Sequence, residues 1–241
     1  MAFPSWLPLG LAIRDYYASG ERKLIKVFTK DGDITPYSVD LFFRDYEDFS
    51  IYDEMGCALA RGRVLDVGAG AGCISIFLQE ELNREVTAID VSGEAIAVAR
   101  ELGVKDARHL DFFSLTGERY DTILLLMNGI GFVRDLVGLE RFLEHAKGLL
   151  EPEGQILFDS SDLKFADIGT AELREDVRHY FGQVWYQMEY QGIRGAAYYW
   201  LYLDPLTMRE YAENAGYNVE IVHEAGEGYY LARLTLAGTG N

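Results

Sequence analysis

The chain has 241 residues, 49% of them apolar, enough to bury a sizeable core without disulfides or metal. A formal net charge of −17 opposes binding to nucleic acid or an anionic membrane, because bulk repulsion precedes any local contact. Its two cysteines, Cys57 and Cys73, form neither a CxxC pair nor a zinc pattern, which implies a reducing compartment and no metal site. No apolar run reaches the roughly 18 residues of a membrane span. Met1 to Gly10 lacks a basic start and is broken by Pro4 and Pro8, so a signal peptide is not expected. A cytoplasmic protein without a membrane partner is the expectation, and the sequence gives no reading of oligomeric state.

Residues 1–60 read as an accessory segment. Leu24 to Phe28 and Ile34 to Val39 flank Lys30-Asp31-Gly32-Asp33, an Asp-Gly turn suited to a β-hairpin, and Asp53 to Ala60 reads as a short helix. Arg22, Lys23, Lys26 and Lys30 make the one basic cluster, but Glu21, Asp31 and Asp33 flank it, so it reads as a solvated face and no DNA partner is expected.

Residues 61–241 read as the one domain, to which residues 1–60 are an N-terminal addition. Val64, Leu65 and Val67 have the character of a parallel strand covered on both faces. The strand runs into Gly68-Ala69-Gly70-Ala71-Gly72, where alternating glycines let the backbone approach a ligand. Ile74, Phe77, Leu78 and Leu82 then recur at helical spacing, placing a positive helix N-terminus over the loop. The dinucleotide fingerprint GxGxxG asks for Gly or Ala at position 73, where Cys73 stands. Asp66, two residues before the first glycine, would repel a pyrophosphate, so a ligand with a cationic end fits better.

Eighteen residues beyond Gly72, the strand Glu85 to Ile89 ends in Asp90, and a carboxylate at a strand's carboxyl end can accept hydrogen bonds from a pair of hydroxyls. Ser92 caps a helix over Gly93 to Leu102. The next apolar stretch ends at His109-Leu110-Asp111-Phe112-Phe113, with Asp111 twenty-one residues after Asp90, which suits one strand-helix repeat. Tyr120 to Met127 reads as a fourth buried strand running into Asn128-Gly129-Ile130-Gly131. Any one of Asp66, Asp90 and Asp111 could simply cap the helix that follows it. Three at successive strand ends read together as a ligand site.

Leu136 to Leu150 has helical spacing and is stopped by Pro152 and Gly154; Gln155 to Asp159 follows as a fifth strand. Leu163 to Tyr180 reads as mixed and partly helical. Val184 to Tyr190 and Ala196 to Leu203 are aromatic-rich strands around Gly192 to Gly195, an antiparallel hairpin inserted at about 184–203. Pro205 to Ala215 is a helix, and Tyr217 to Val222 and Tyr229 to Leu236 close the chain as an antiparallel pair.

The motif Leu65-Asp66-x-Gly68-x-Gly70-x-Gly72, the acids at 90 and 111, and Leu150-Glu151-Pro152-Glu153-Gly154 resemble the class I S-adenosylmethionine-dependent methyltransferases. The resemblance covers about residues 61–241 and is strongest over 63–159. It implies an α/β, Rossmann-like, doubly wound seven-stranded sheet with a terminal antiparallel strand, here with an N-terminal extension and the inserted hairpin. It also implies S-adenosylmethionine as co-substrate, with a cofactor site at Asp66, Gly68, Ala69, Gly70, Gly72, Asp90, Val91, Asp111, Phe112, Asn128 and Gly129. Asp90 falls on the ribose ligand and Asp111 on the partner of the adenine amine, with Phe112 or Phe113 against the purine face. The N-terminal extension of such proteins often covers the cofactor, which makes Tyr37, Phe42, Phe43, Arg44 and Tyr46 candidates to close the pocket.

The acceptor is constrained by what is missing. Asn128-Gly129-Ile130-Gly131 replaces the Asn/Asp-Pro-Pro-Tyr motif of many methyltransferases that act on nucleic-acid bases and protein amides. Together with the acid charge this favours a small organic acceptor, with a protein or RNA acceptor, or binding without turnover, as alternatives. No catalytic base stands out. His179 is the best placed of the four histidines; His109 falls near the cofactor, His145 on a surface helix and His223 at a strand end. Tyr186, Arg194, Tyr198 and Trp200 are the residues to test if the hairpin roofs the acceptor.

Overall fold

The computed structural model describes residues 3–165 and 180–238. Helix α1 (Leu7–Ser19) opens it, with Pro8 in the first turn and Gly20 closing the end in the left-handed conformation. The Asp-Gly turn joins β1 (Leu24–Thr29) to β2 (Ile34–Ser38) as the expected antiparallel hairpin, in register from Leu24↔Ser38 to Phe28↔Ile34. Helix α2 (Ile51–Leu59) starts at a capping box in which Ser50 and Asp53 satisfy each other's backbone N–H groups. The alternation then becomes β3 (Arg63–Val67), α3 (Cys73–Glu80), β4 (Glu85–Asp90), α4 (Gly93–Leu102), β5 (Asp106–His109), β6 (Tyr120–Leu125), α5 (Leu136–Leu149) and β7 (Leu150–Ser161). Strands β8 (Gln183–Tyr190), β9 (Ile193–Arg194) and β10 (Tyr198–Leu201), helix α6 (Pro205–Asn214), and strands β11 (Tyr217–Glu224) and β12 (Tyr229–Leu236) complete it.

Seven strands form one sheet in the order β11-β12-β7-β6-β3-β4-β5. β4 with β5 and β6 with β7 pair in parallel, and β12 runs antiparallel to both β7 and β11. This is the Rossmann-like sheet expected from the alternation of buried strands with amphipathic helices. A smaller sheet has the order β10-β8-β1-β2, with β9 also paired to β8. The inserted hairpin therefore joins the N-terminal one, through pairs such as Val27↔Met188. Its tight turn is Gln191-Gly192, both at positive φ, so β8 pairs first with β9.

By contacts the chain forms two compact units. Met1–Phe49, Leu65–Ser114 and Trp185–Tyr198 make the first. Ser50–Val64, Leu115–Val184 and Tyr199–Asn241 make the second. In the first, Ala12, Ile13, Ile25, Ala95, Val98 and Met188 share one buried cluster. In the second, the central strands are fully buried at Ile123, Leu124, Ile156, Leu157 and Phe158.

Two elements differ from expectation. Helix α1 is not expected from the sequence, where Pro4 and Pro8 break the opening stretch. Pro8 is tolerated in the first turn, and Gly10 is there for close packing: a Cβ would collide with Ser92 and sit 3.1 Å from Glu94 on α4. Arg14 also reaches Glu101 of α4 at 2.5 Å. Strand β7 is longer than Gln155 to Asp159, because β12 pairs with it as far as Tyr229↔Ser161. The stretch 166–179, expected to be partly helical, and with it His179, lies outside the described residues.

Among the described residues no helix is long and apolar enough to cross a membrane. Nor does any group of three His, Cys, Asp or Glu side chains among them form a metal set.

Candidate functional site

The glycine loop follows β3 and lies in the first unit. Gly68, Gly70 and Gly72 have φ of 78°, 56° and 90°, a left-handed conformation that any side chain would strain. The N–H groups of Gly68 and Ala69 donate to the Ile89 carbonyl at 2.9 and 3.1 Å, which ties the loop to the end of β4. Gly72 is the N-cap of α3 and makes no side-chain cap, and the first turn of that helix carries no acid, so its positive end faces the loop uncompensated from within the helix.

Two acids flank the loop, Asp66 in β3 and Asp90 at the end of β4. Asp90, at the end of β4, accepts from Gly70 N at 3.0 Å on Oδ2 and from Ser92 N at 2.7 Å on Oδ1. Its burial raises its pKa, opposed by these two backbone donors. An ionised carboxylate offers about four lone-pair sites, so two hydroxyl donors can still be accepted. Asp66 is 4% exposed, and its Oδ2 accepts from Ser75 Oγ at 2.6 Å. Burial pushes its pKa up to about 6, with the charge of Asp90 adding to the shift and the Ser75 bond opposing it.

The remaining expected positions are placed as follows. Val91 is 43% exposed beside the Asp90 turn, and His109 Nε2 lies 3.0 Å from its carbonyl. Asp111 is exposed and accepts from Phe113 N at 2.8 Å, capping the short turn Phe112–Ser114. Phe112 is 3% exposed and packs edge-on to Phe113, which keeps more of its face open. Of the N-terminal candidates, Phe42 covers the loop: its ring stands 2.7 Å from where a Cβ on Gly70 would be. Phe43 packs on Tyr16, Arg44 lies over Phe49, and Tyr46 stacks flat on Phe77.

Asn128 and Gly129 lie in the second unit, after β6. Met127 and Asn128 are consecutive non-glycine residues at φ 60° and 55°, a strained corner of the kind that gathers at functional sites. Asn128 N donates to Asp159 Oδ2 at 2.9 Å, and Ser161 Oγ donates to Asn128 Oδ1 at 2.8 Å. Asp159 was not singled out from the sequence. The signal was present, since it ends the apolar run Ile156-Leu157-Phe158 as Asp90 ends its own. Trp200 lies directly against Gly131, where a Cβ would overlap the indole. Arg194 pairs with Glu189 and lies over the Phe28 ring at 4.1 Å, Tyr198 packs on Trp6, and His223 lies against Tyr52.

Comparison with known proteins follows the same lines. Residues 43–222 match the methyltransferase domain family. A S-adenosylmethionine-dependent methyltransferase from Bacteroides fragilis, solved with S-adenosylhomocysteine, is 38% identical. The match covers 98% of both chains, with a TM-score of 0.86. The CcbJ methyltransferase from Streptomyces caelestis shares the fold at 18% identity, over 80% of this chain and 95% of that one, with a TM-score of 0.61. A ubiquinone biosynthesis O-methyltransferase from Pasteurella multocida is 31% identical over 111 residues, 41% of this chain and 46% of that one. Matches of this kind to curated relatives span a quarter to a half of the relatives' own length. The chain belongs to the S-adenosylmethionine-dependent methyltransferase family.

Proposed function

We propose that the protein transfers the sulfonium methyl of S-adenosylmethionine to a small organic acceptor, with the co-substrate held by the loop and the acids around it. In this reading Asp90 accepts from the ribose hydroxyls, Asp111 from the adenine amine, and the loop backbone at 68–72 lies against the ligand. Phe42 covers it, and Asp66 supplies negative charge toward its cationic end. Positive charge disperses as the methyl moves, so positioning and exclusion of water carry the catalysis, worth up to about 7 to 11 kcal/mol in favourable cases.

The observation behind the small acceptor is the net charge of −17 together with the fate of the basic cluster. Lys23 pairs with Glu21 at 2.8 Å, Arg22 with Asp40 at 3.7 Å and Lys26 with Glu189 at 3.5 Å, which leaves little cationic surface for a polyanion. The test is transfer of tritiated methyl from S-adenosylmethionine to a panel of small amines, alcohols, thiols and acids, beside bulk tRNA and protein. Label in small products supports the reading; label confined to tRNA or protein overturns it.

Asp66 makes ligand binding pH-dependent. Its folded pKa lies above its unfolded one, so the neutral acid favours the fold. That contribution is complete below about pH 4 and is lost as the pH rises through 6. A cationic ligand selects the ionised form. Affinity for S-adenosylmethionine should therefore weaken below pH 6, approaching tenfold per unit. Calorimetric titrations at pH 5 and 7.5 check this; equal affinities would remove Asp66 from the site.

A further inference from the structure

We propose that His109 is a positioning residue for the methyl donor: through the peptide that joins Val91 to Ser92, its imidazole holds the Asp90 carboxylate in the orientation that accepts from the ribose hydroxyls. This rests on the reading of Asp90 as the ribose ligand given above. Asp90, Val91, Ser92, Gly93 and His109 all lie in the first compact unit.

The strand ends fix the ring first. β4 and β5 pair in parallel with Asp90 opposite His109, and Leu110 N donates to the Asp90 carbonyl at 3.0 Å. His109 is thereby held beside the turn that follows β4, with its Nε2 at 3.0 Å from the Val91 carbonyl oxygen. A carbonyl only accepts, so this ring nitrogen carries the proton. The other end of the same peptide group is the Ser92 N–H, which donates to Asp90 Oδ1 at 2.7 Å. A trans peptide is planar, and its C=O and N–H point in opposite directions. The imidazole and the carboxylate thus grip one rigid plate from its two ends, and each hydrogen bond polarises the plate and strengthens the other.

Gly93, the first residue of α4, makes room for the ring. Its φ is not positive, and alanine is the better helix former, so backbone conformation does not ask for glycine there. Packing does: a Cβ on Gly93 would stand 3.2 Å from His109 Nδ1 and 3.3 Å from Cε1, closer than a methyl group ordinarily packs. The ring also acts on the acid directly. Burial raises the Asp90 pKa, the N–H groups of Ser92 and Gly70 oppose the rise, and His109 adds to that opposition. It therefore favours the ionised carboxylate, the form that only accepts and that a pair of hydroxyls needs. His109 itself is exposed, so its ring contributes little buried surface and its variants are expected to fold.

The test uses the full chain and S-adenosylhomocysteine as the probe. His109→Phe keeps a ring against Gly93 and removes the donor; His109→Gln keeps an N–H donor and removes the ring. His109→Phe should weaken binding in calorimetry about three- to tenfold, the span of one neutral hydrogen bond. His109→Gln should bind within about twofold of wild type, and the urea midpoints of the three proteins should coincide. In amide NMR of the free protein, the Ser92 proton should move upfield in His109→Phe and return in His109→Gln. Unchanged affinity in His109→Phe, an equal loss in both variants, or an unmoved Ser92 proton overturns the role and leaves the reading of Asp90 standing. If the wild-type chain does not bind S-adenosylhomocysteine, both fall. A His109→Phe chain that does not fold also overturns the role, because the side chain would then hold the fold itself.

Discussion

Asp90→Ala is expected to weaken S-adenosylmethionine binding between tenfold and about a hundred and fiftyfold. The proposed contact is a carboxylate accepting from two hydroxyls, and its loss as a whole costs about 1.5 to 3 kcal/mol. The loss does not stop there. The same side chain holds Gly70 N and Ser92 N, so its removal also frees the loop and the first turn of α4. Asp90→Asn separates the two contributions, because the amide oxygen can keep one backbone donor while the negative charge is gone. Isothermal titration of both variants beside wild type gives the answer. An unchanged dissociation constant in a folded Asp90→Ala protein would make Asp90 a cap and nothing more.

Gly72→Ala should be the most destabilising single methyl in the loop. Gly72 has φ of 90°, a conformation that costs a residue with a Cβ about 1 to 2 kcal/mol. The new methyl would stand 2.6 Å from Val104 Cγ2 and 3.2 Å from Ala99 Cβ, and overpacking of this kind costs about 1 to 3 kcal/mol more. The sum, about 2 to 5 kcal/mol, is a large part of the stability of an ordinary domain. Val104→Ala in the same chain removes the collision and leaves the backbone strain, so the double variant should recover the second contribution and not the first. Urea denaturation of the four proteins reads both. A Gly72→Ala midpoint equal to wild type would mean that the loop relaxes freely and is not held against α4 and the segment after it.

What the sequence revealed was local chemistry, and what it hid was long-range geometry. The loop at 68–72, the acid ending β4 and the cap of α4 at Ser92 were legible because each is written in a short window: glycine spacing, an apolar run with its terminal acid, a hydroxyl before a helix. The pairing of β1 with β8 was not, since Val27 and Met188 lie far apart in the chain and neither segment signals its partner. Helix α1 was hidden by Pro8, which reads as a break and sits in the first turn, and the packing of Gly10 on α4 shows only in three dimensions. Phe42 could be named as one of five cover residues, but only the packing shows that it, and not Tyr46, lies on the loop. Asp159 carried the same signature as Asp90. That its Oδ1 meets no hydrogen-bond donor among the described residues is visible only in three dimensions.

The most direct test of the account is a calorimetric titration of the full chain with S-adenosylhomocysteine, with NAD as the control. Binding at micromolar concentration, with no heat from NAD, is the predicted result. No heat from S-adenosylhomocysteine, or equal binding of NAD, would contradict the assignment of the glycine loop and its acids as the methyl-donor site.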